Sequence, residues 1–305
     1  MTRRRRAWIW SAAAVFFVSL FLVHARFTNI ILFPPVEPIS SMPDSYGLPW
    51  SSEVISVRLP HDIVTVHCWE IQTGAVDNPW IILLHGRGRN RSAVLKYAPW
   101  LHSAGFNLFL FDFPGHGESG FSPITLGAFE KESVKAAVHH LATRGAKRIG
   151  VMGISMGGAS GILAAAEDPR IATVIADSVY SSFVGIVADR AWADYHIPKF
   201  PLVYTVSGYA GLMYRFNPFV VDIGNAANAV SPRPMLFIHS ETDGYIPIKH
   251  METIQKAIKE KAEKYKNIEF WTFRSAKHDS VFDVTPQEYK KRVLDFLAKN
   301  FPAHN

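Results

Sequence analysis

The sequence predicts an α/β fold: a mostly parallel, mixed sheet flanked by helices, with one helical insertion. Three observations predict it. Short continuous apolar runs alternate with stretches whose apolar residues recur at helical spacing, as in parallel strands covered by helices. One such run passes through Gly153-Ile154-Ser155-Met156-Gly157 into a stretch of small residues. The rhythm then stops between Ser178 and Ser231, where no strand is evident.

Composition admits the core this fold needs. The chain has 305 residues, 48% hydrophobic and 19% charged, which excludes a disordered chain. The net charge is +6, yet Arg3, Arg4, Arg5, Arg6 and Arg26 lie in the first 26 residues without an acid. Without those five the chain carries +1, so the basic balance does not describe a nucleic-acid surface. Cys68 is the single cysteine, which excludes an intrachain disulfide and a cysteine-based metal site. It lies in the alternating run IVTVHCWEI and reads as a buried core thiol.

The first 26 residues read as a signal anchor. Four arginines precede an uncharged apolar run, Ala7 to Val23, at the short end of what spans a bilayer. Trp8 and Trp10 suit an interfacial position, and the arginines predict a cytoplasmic N-terminus with the domain on the other side. A cleaved secretory signal is the alternative, with Val23-His24-Ala25 as a poor cleavage site. No cysteine follows the run, which excludes a lipoprotein anchor. Residues 27–52 are rich in proline and read as an extended tether to a domain over 53–305. Asn90-Arg91-Ser92 is a glycosylation sequon.

Within the domain, EVISVRL and DIVTVHCWEI predict a hairpin at the start of the sheet. WIILLH and FNLFLFD read as strands buried on both faces, with a helix over 92–103 between them. A helix over 125–145 ends at Gly145. RIGVMG is a strand, SMGGASGILAAAE a helix of small residues, and IATVIAD a strand. The insertion, about 179–231, is aromatic and broken by Pro and Gly, and reads as a helical lid. Its aromatic residues, among them Phe183, Trp192 and Tyr195, either pack the insertion or line an apolar pocket. PMLFIHS, a helix over 249–265, IEFWTF and a helix over 286–301 complete the chain.

A Gly-x-Ser-x-Gly sequence between strand and helix suits a serine nucleophile held on a tight turn, although serine is also a common N-cap. A nucleophilic serine needs a base, and the base an orienting acid. Asp243 follows the strand PMLFIHS and His278 follows IEFWTF, both at strand ends where open α/β sheets build their sites. Asp177 also ends a strand and is a second candidate acid, whereas Glu241 sits two residues early. Asp279 reads as a surface residue pointing away.

Taken together, LLHGRGRN, FDFPGHGES, GISMGG, IHSETDGYIP and AKHDS make residues 53 to 302 resemble the α/β-hydrolase family, in its lidded, esterase- or peptidase-like branch with an N-terminal membrane anchor. The resemblance implies Ser155 as nucleophile, Asp243 as orienting acid and His278 as general base. It also implies an oxyanion hole from the backbone N–H groups of Met156 and Arg87. On the same pattern His85 and His116 are structural, and Asp112 pins the GHGES turn. No metal-ligand cluster and no phosphate loop is evident, so no cofactor is expected. Arg87, Arg89 and Arg91 read either as a solvated loop or as an attractor for anionic substrates or lipid headgroups.

These readings converge on a membrane-anchored serine hydrolase that cleaves a carboxylic ester, a thioester or a lipid ester through an acyl-enzyme. A peptidase or an acyltransferase on the same residues is the alternative, and a non-catalytic binding protein is the alternative of a different class.

Overall fold

Alternation of apolar runs with amphipathic stretches resolves into one sheet in the computed structural model, which describes residues 3–60, 62–74, 77–259 and 265–303. Among these residues the strands are β1 (Ser51–Arg58), β2 (Ile63–Ile71), β3 (Trp80–Leu84), β4 (Asn107–Phe111), β5 (Ile149–Ile154), β6 (Ile171–Asp177), β7 (Met235–Ser240) and β8 (Ile268–Phe273). They lie in the order β1-β2-β4-β3-β5-β6-β7-β8. Only β2 runs against its neighbours, so the sheet is mixed at one edge and parallel elsewhere.

The apolar runs are continuous because both faces are covered. Ile82 and Leu84 face one core, filled by helices α3 (Glu130–Thr143), α4 (Met156–Glu167), α7 (Ile223–Val230) and α8 (Lys249–Lys259). Ile81 and Leu83 face the other, filled by α2 (Ala98–Ser103) and α10 (Pro286–Asn300). This is the two-residue period of a strand, and each such side chain contributes about 1.5–3 kcal/mol over an exposed one.

Several boundaries differ from the sequence reading, each for a local reason. Helix α3 begins at Glu130, because Leu126 and Gly127 have positive φ and cannot be helical. The buried Glu130 carboxylate ties that loop by accepting from Thr125 N (2.8 Å) and Gly127 N (2.7 Å). The helix expected over 92–103 is a 3₁₀ turn (Arg91–Tyr97) followed by α2, with Pro99 in the first turn of α2. The helix expected over 249–265 is α8, and residues 260–264 lie outside the described residues. A short α9 (Val281–Val284) precedes α10.

The insertion holds α5 (Phe183–Tyr195), α6 (Tyr204–Tyr214) and α7, and among its described residues no strand. A single bridge between Ser182 and Asp222 joins its two ends. Helix α7 buries Ile223 and Ala227 in the core beside α4, α5 buries Phe183 and Ile186 in that same core, and α6 packs on α1.

Helix α1 is longer than the anchor predicted from charge and hydropathy. It runs Arg3–Leu32 and meets the length and apolarity of a membrane span. Nothing in residues 27–32 breaks a helix; Pro34 does, by disfavouring helical backbone at Phe33. His24, Thr28 and Leu32, one turn apart, are buried against the domain, whereas Ile9, Phe16 and Val23 are exposed. The extended tether expected over 27–52 is only partly so, because residues 27–32 continue α1, Pro43–Tyr46 form a 3₁₀ turn and Ser51 and Ser52 open β1. The stretch after α1 is seated on the domain, with Glu37 N donating to Gly88 O (2.8 Å) and Ser40 N to Ser92 Oγ (3.2 Å).

Cys68 is fully buried, and burial pushes its thiol well above the ordinary cysteine range. The native protein is therefore expected to resist a maleimide for hours while the urea-unfolded chain takes one adduct, read by mass. Fast labelling of the native protein would contradict the buried β2 environment.

Candidate active site

The turn from β5 into α4 sets the serine. Ser155 has φ 54° and ψ −119°, a conformation that costs about 1–3 kcal/mol for a residue with a side chain. Two glycines permit it. A methyl on Gly153 would fall 2.4 Å from the Gly157 carbonyl carbon, and one on Gly157 would fall 2.5 Å from Leu84 O. Ser155 N donates to Asp177 O (2.7 Å), which fixes the turn on β6.

Three separate strand ends meet at this serine. Ser155 Oγ lies 3.2 Å from His278 Nε2, and His278 Nδ1 lies 2.7 Å from Asp243 Oδ2. With Nδ1–H donating to Asp243, Nε2 offers its lone pair to the Ser155 hydroxyl. Asp243 is buried, and its Oδ1 accepts from Tyr245 N (2.9 Å) and Ile246 N (2.8 Å). Burial pushes this carboxyl up, but His278 and the two backbone donors outweigh that and hold it below the usual carboxylate range. The Tyr245 ring packs on His278 with centroids 4.9 Å apart, a contact with no mark in the sequence.

The second candidate acid is engaged elsewhere. Asp177 accepts from Ser178 Oγ (2.8 Å) and Tyr289 Oη (2.9 Å), and burial pushes it up to about 6. Glu241 is exposed. Asp279 is half-buried, with φ 53°, and lines a small cleft beside Gly86 and Arg89 rather than lying free on the surface.

The loop after β3 lies against the serine, with a methyl on Gly86 placed 3.5 Å from Ser155 Cβ. His85 donates from Nδ1 to Gly86 O (2.8 Å) and accepts from Phe113 N at Nε2 (3.0 Å). His116 Nε2 accepts from Gly88 N (3.1 Å). Met156 N heads α4, whose positive end faces the same place.

Each of the three arginines has a partner, and only Arg89 keeps a largely solvated side chain. Arg87 donates to Ile30 O and Ile31 O of α1, both at 2.8 Å. Arg89 pairs with Glu37 at 2.6 Å. Arg91 is buried between Asp112 and Glu118, 4.4 Å over the Trp69 ring. Asp112 also accepts from Arg91 N (2.7 Å) and Glu118 N (2.9 Å), so it joins this loop to the GHGES turn. The sequon is closed off as well. Asn90 is 2% exposed, its amide donating to Glu37 O (2.9 Å) while its oxygen caps Ser92 N (2.9 Å).

An apolar cleft reaches Ser155 and Met156. It holds about 730 Å³ when the open space at its mouth is counted. Of the lid aromatics Tyr195 lines it, Phe183 is fully buried in the core, and Trp192 is exposed. Phe27, Ile30 and Ile31 of α1 line it too, and sequence reasoning missed them.

Residues 81–288 match the family described as Alpha/beta hydrolase family. The chain belongs to that family. The hydrolase is 31% identical to the protein YfhR of Escherichia coli (strain K12) over 219 residues, 70% of each chain. It is similar in structure to the Pyrococcus furiosus esterase Pf2001, with a TM-score of 0.72 and 26% identity over 88% of this chain and 98% of that one. The Pyrococcus horikoshii acylaminoacyl peptidase shares the fold, with a TM-score of 0.62 and 16% identity, over 86% of the hydrolase and 44% of the peptidase.

Burial lowers His85 to about 4 and His116 to about 3. Each then binds fewer protons folded than unfolded, so stability present above about pH 6.5 is lost as pH falls towards those values. Asp177, raised to about 6, offsets part of this below pH 6. Urea unfolding at about pH 7 and pH 4.5 should show a drop, smaller in His116→Gln. An equal drop in that variant would refute the neutral-histidine assignment.

Proposed function

We propose that this hydrolase cleaves a carboxylic ester through an acyl-enzyme. Ser155 Oγ attacks the acyl carbon while His278 Nε2 takes its proton, and Asp243 orients His278 and offsets the imidazolium charge. The backbone N–H groups of Met156 and Arg87 receive the oxyanion, and the positive end of α4 lies under it. His278 then protonates the leaving alcohol, and the same base activates water to release the acid.

The observation that carries this reading is the chain of two contacts, 3.2 Å from Ser155 to His278 and 2.7 Å from His278 to Asp243. The mostly apolar cleft beside it suits an acyl group, and the likeness to an esterase agrees. A peptidase or an acyltransferase would use the same residues, and rates on peptide and ester substrates separate them.

A fluorophosphonate probe tests the nucleophile. The expected result is labelling of the wild type, none in Ser155→Ala, and a kcat loss of about 10³–10⁴-fold in Asp243→Asn on p-nitrophenyl esters. Labelling that persists in Ser155→Ala would overturn the assignment.

Helix α1 anchors the hydrolase in a membrane in this reading, with Arg3–Arg5 on the cytoplasmic side and the catalytic domain across from them. Protease added outside intact spheroplasts should digest the domain. Complete protection there, reversed by detergent, would place it on the wrong side.

A further inference from the structure

We propose that α1 is a wall of the substrate site as well as an anchor, and that the site takes the long acyl chain of a membrane-resident lipid ester. This rests on Ser155 being the nucleophile, and it goes further by naming what the cleft holds and which element holds it.

The first observation is the cleft itself. Phe27, Ile30 and Ile31 of α1 share it with Ser155 and Met156, and Ile186 and Val187 of α5 line it as well. A side chain on α1 thus borders the same space as the reacting oxygen. Phe27, Ile30 and Ile31 of α1 and Ile186, Val187 and Ala191 of α5 make a mostly apolar wall, which suits a hydrocarbon chain. The charged residues that also line it are paired: Arg190 with Asp194 on α5, and Arg87 with the α1 carbonyls.

The second observation is that α1 is fastened there. The Arg87 guanidinium holds the Ile30 and Ile31 carbonyls, which lie in the helix's last turn, where carbonyls lack partners within the helix. A cation at a helix C-terminus also meets the negative end of its dipole. His24 Nε2 meets Thr205 Oγ1 at 3.0 Å, and the Phe27 and Tyr195 rings pack edge-on at 5.5 Å. These contacts reach α5, α6 and the loop after β3, so the three sides of the cleft are braced against one another.

The third observation is where the exposed stretch of α1 ends. Val23 is exposed and His24 is buried, and Phe27 to Ile31 follow four to eight residues later. At 1.5 Å per residue the cleft wall begins about 6 Å, and ends about 12 Å, beyond the last exposed apolar residue. The headgroup layer beside the hydrocarbon core is about 5–8 Å thick. A chain passing from the bilayer to the cleft therefore crosses little more than that layer, beside a helix that carries apolar side chains both before and after Arg26.

A photoreactive probe on the full chain in phosphatidylcholine vesicles tests this. The probe is an alkyl fluorophosphonate of about ten carbons with a diazirine near the chain end, and adducts are mapped by mass spectrometry. The expected result is phosphonylated Ser155 and photo-adducts within residues 27–31. Labelled Ser155 with adducts confined to α5 and other elements would overturn the proposal and leave the nucleophile standing. No labelling of Ser155 would overturn both.

A specificity ratio gives a second reading. Ile31→Trp narrows the cleft without touching the serine. It should cut kcat/KM for p-nitrophenyl octanoate about tenfold more than for the acetate, since hydrophobic pockets discriminate chain length by factors of this order. Phe27→Ala should shift preference the other way. A ratio unchanged in both variants, with Ser155 labelling retained, would refute the role of α1.

Discussion

The site depends on one close approach. Gly157, in the first turn of α4, lies so near the end of β3 that an added methyl would meet the carbonyls of Leu84 and His85 at 2.5 and 2.7 Å. That contact brings the helix start against the loop that follows β3. Ser155 must then turn through a left-handed backbone, and its hydroxyl is presented to solvent-side groups instead of being spent on the helix. The other two side chains arrive from β7 and β8, each just past a strand end on the same edge of the sheet. Loosening α4 from β3 would move the serine relative to both.

Much of the fold was legible because its signals are local. Continuous apolar runs marked strands buried on both faces, and Gly145 marked where a helix stops. The start of α3 was not legible, because Glu130 folds back on Thr125 and Gly127 through side-chain bonds that no periodicity reveals. The division of the insertion was hidden for a similar reason: α7 belongs to the core by its packing on α4, not by any mark in its sequence.

The candidate site divides along the same line. Ser155, Asp243 and His278 stood out because each follows a strand and carries the right chemistry. Motif reading also suggested structural duties for His85, His116 and Asp112, whose bonds to Gly86, Gly88 and the Arg91 loop fit that suggestion. The pairing of the arginine loop was hidden. Charge alone cannot say whether an arginine meets solvent, and Arg87, Arg89 and Arg91 are each occupied by a partner from another part of the chain. The α1 residues at the cleft were invisible because their neighbours there lie more than 50 positions away.

The seam between α1 and the domain bears on how the chain matures. Cutting after Ala25, at the site that small residues suggest, would remove His24 and its contact with Thr205. It would leave Arg26–Leu32 as a new amino-terminal stub of two turns, too short to hold its helix unaided. The stub still carries Phe27, Ile30 and Ile31 and the carbonyls that Arg87 grips. A peptidase acting there would do more than free the protein from its leader: it would fray one side of the cavity next to Ser155.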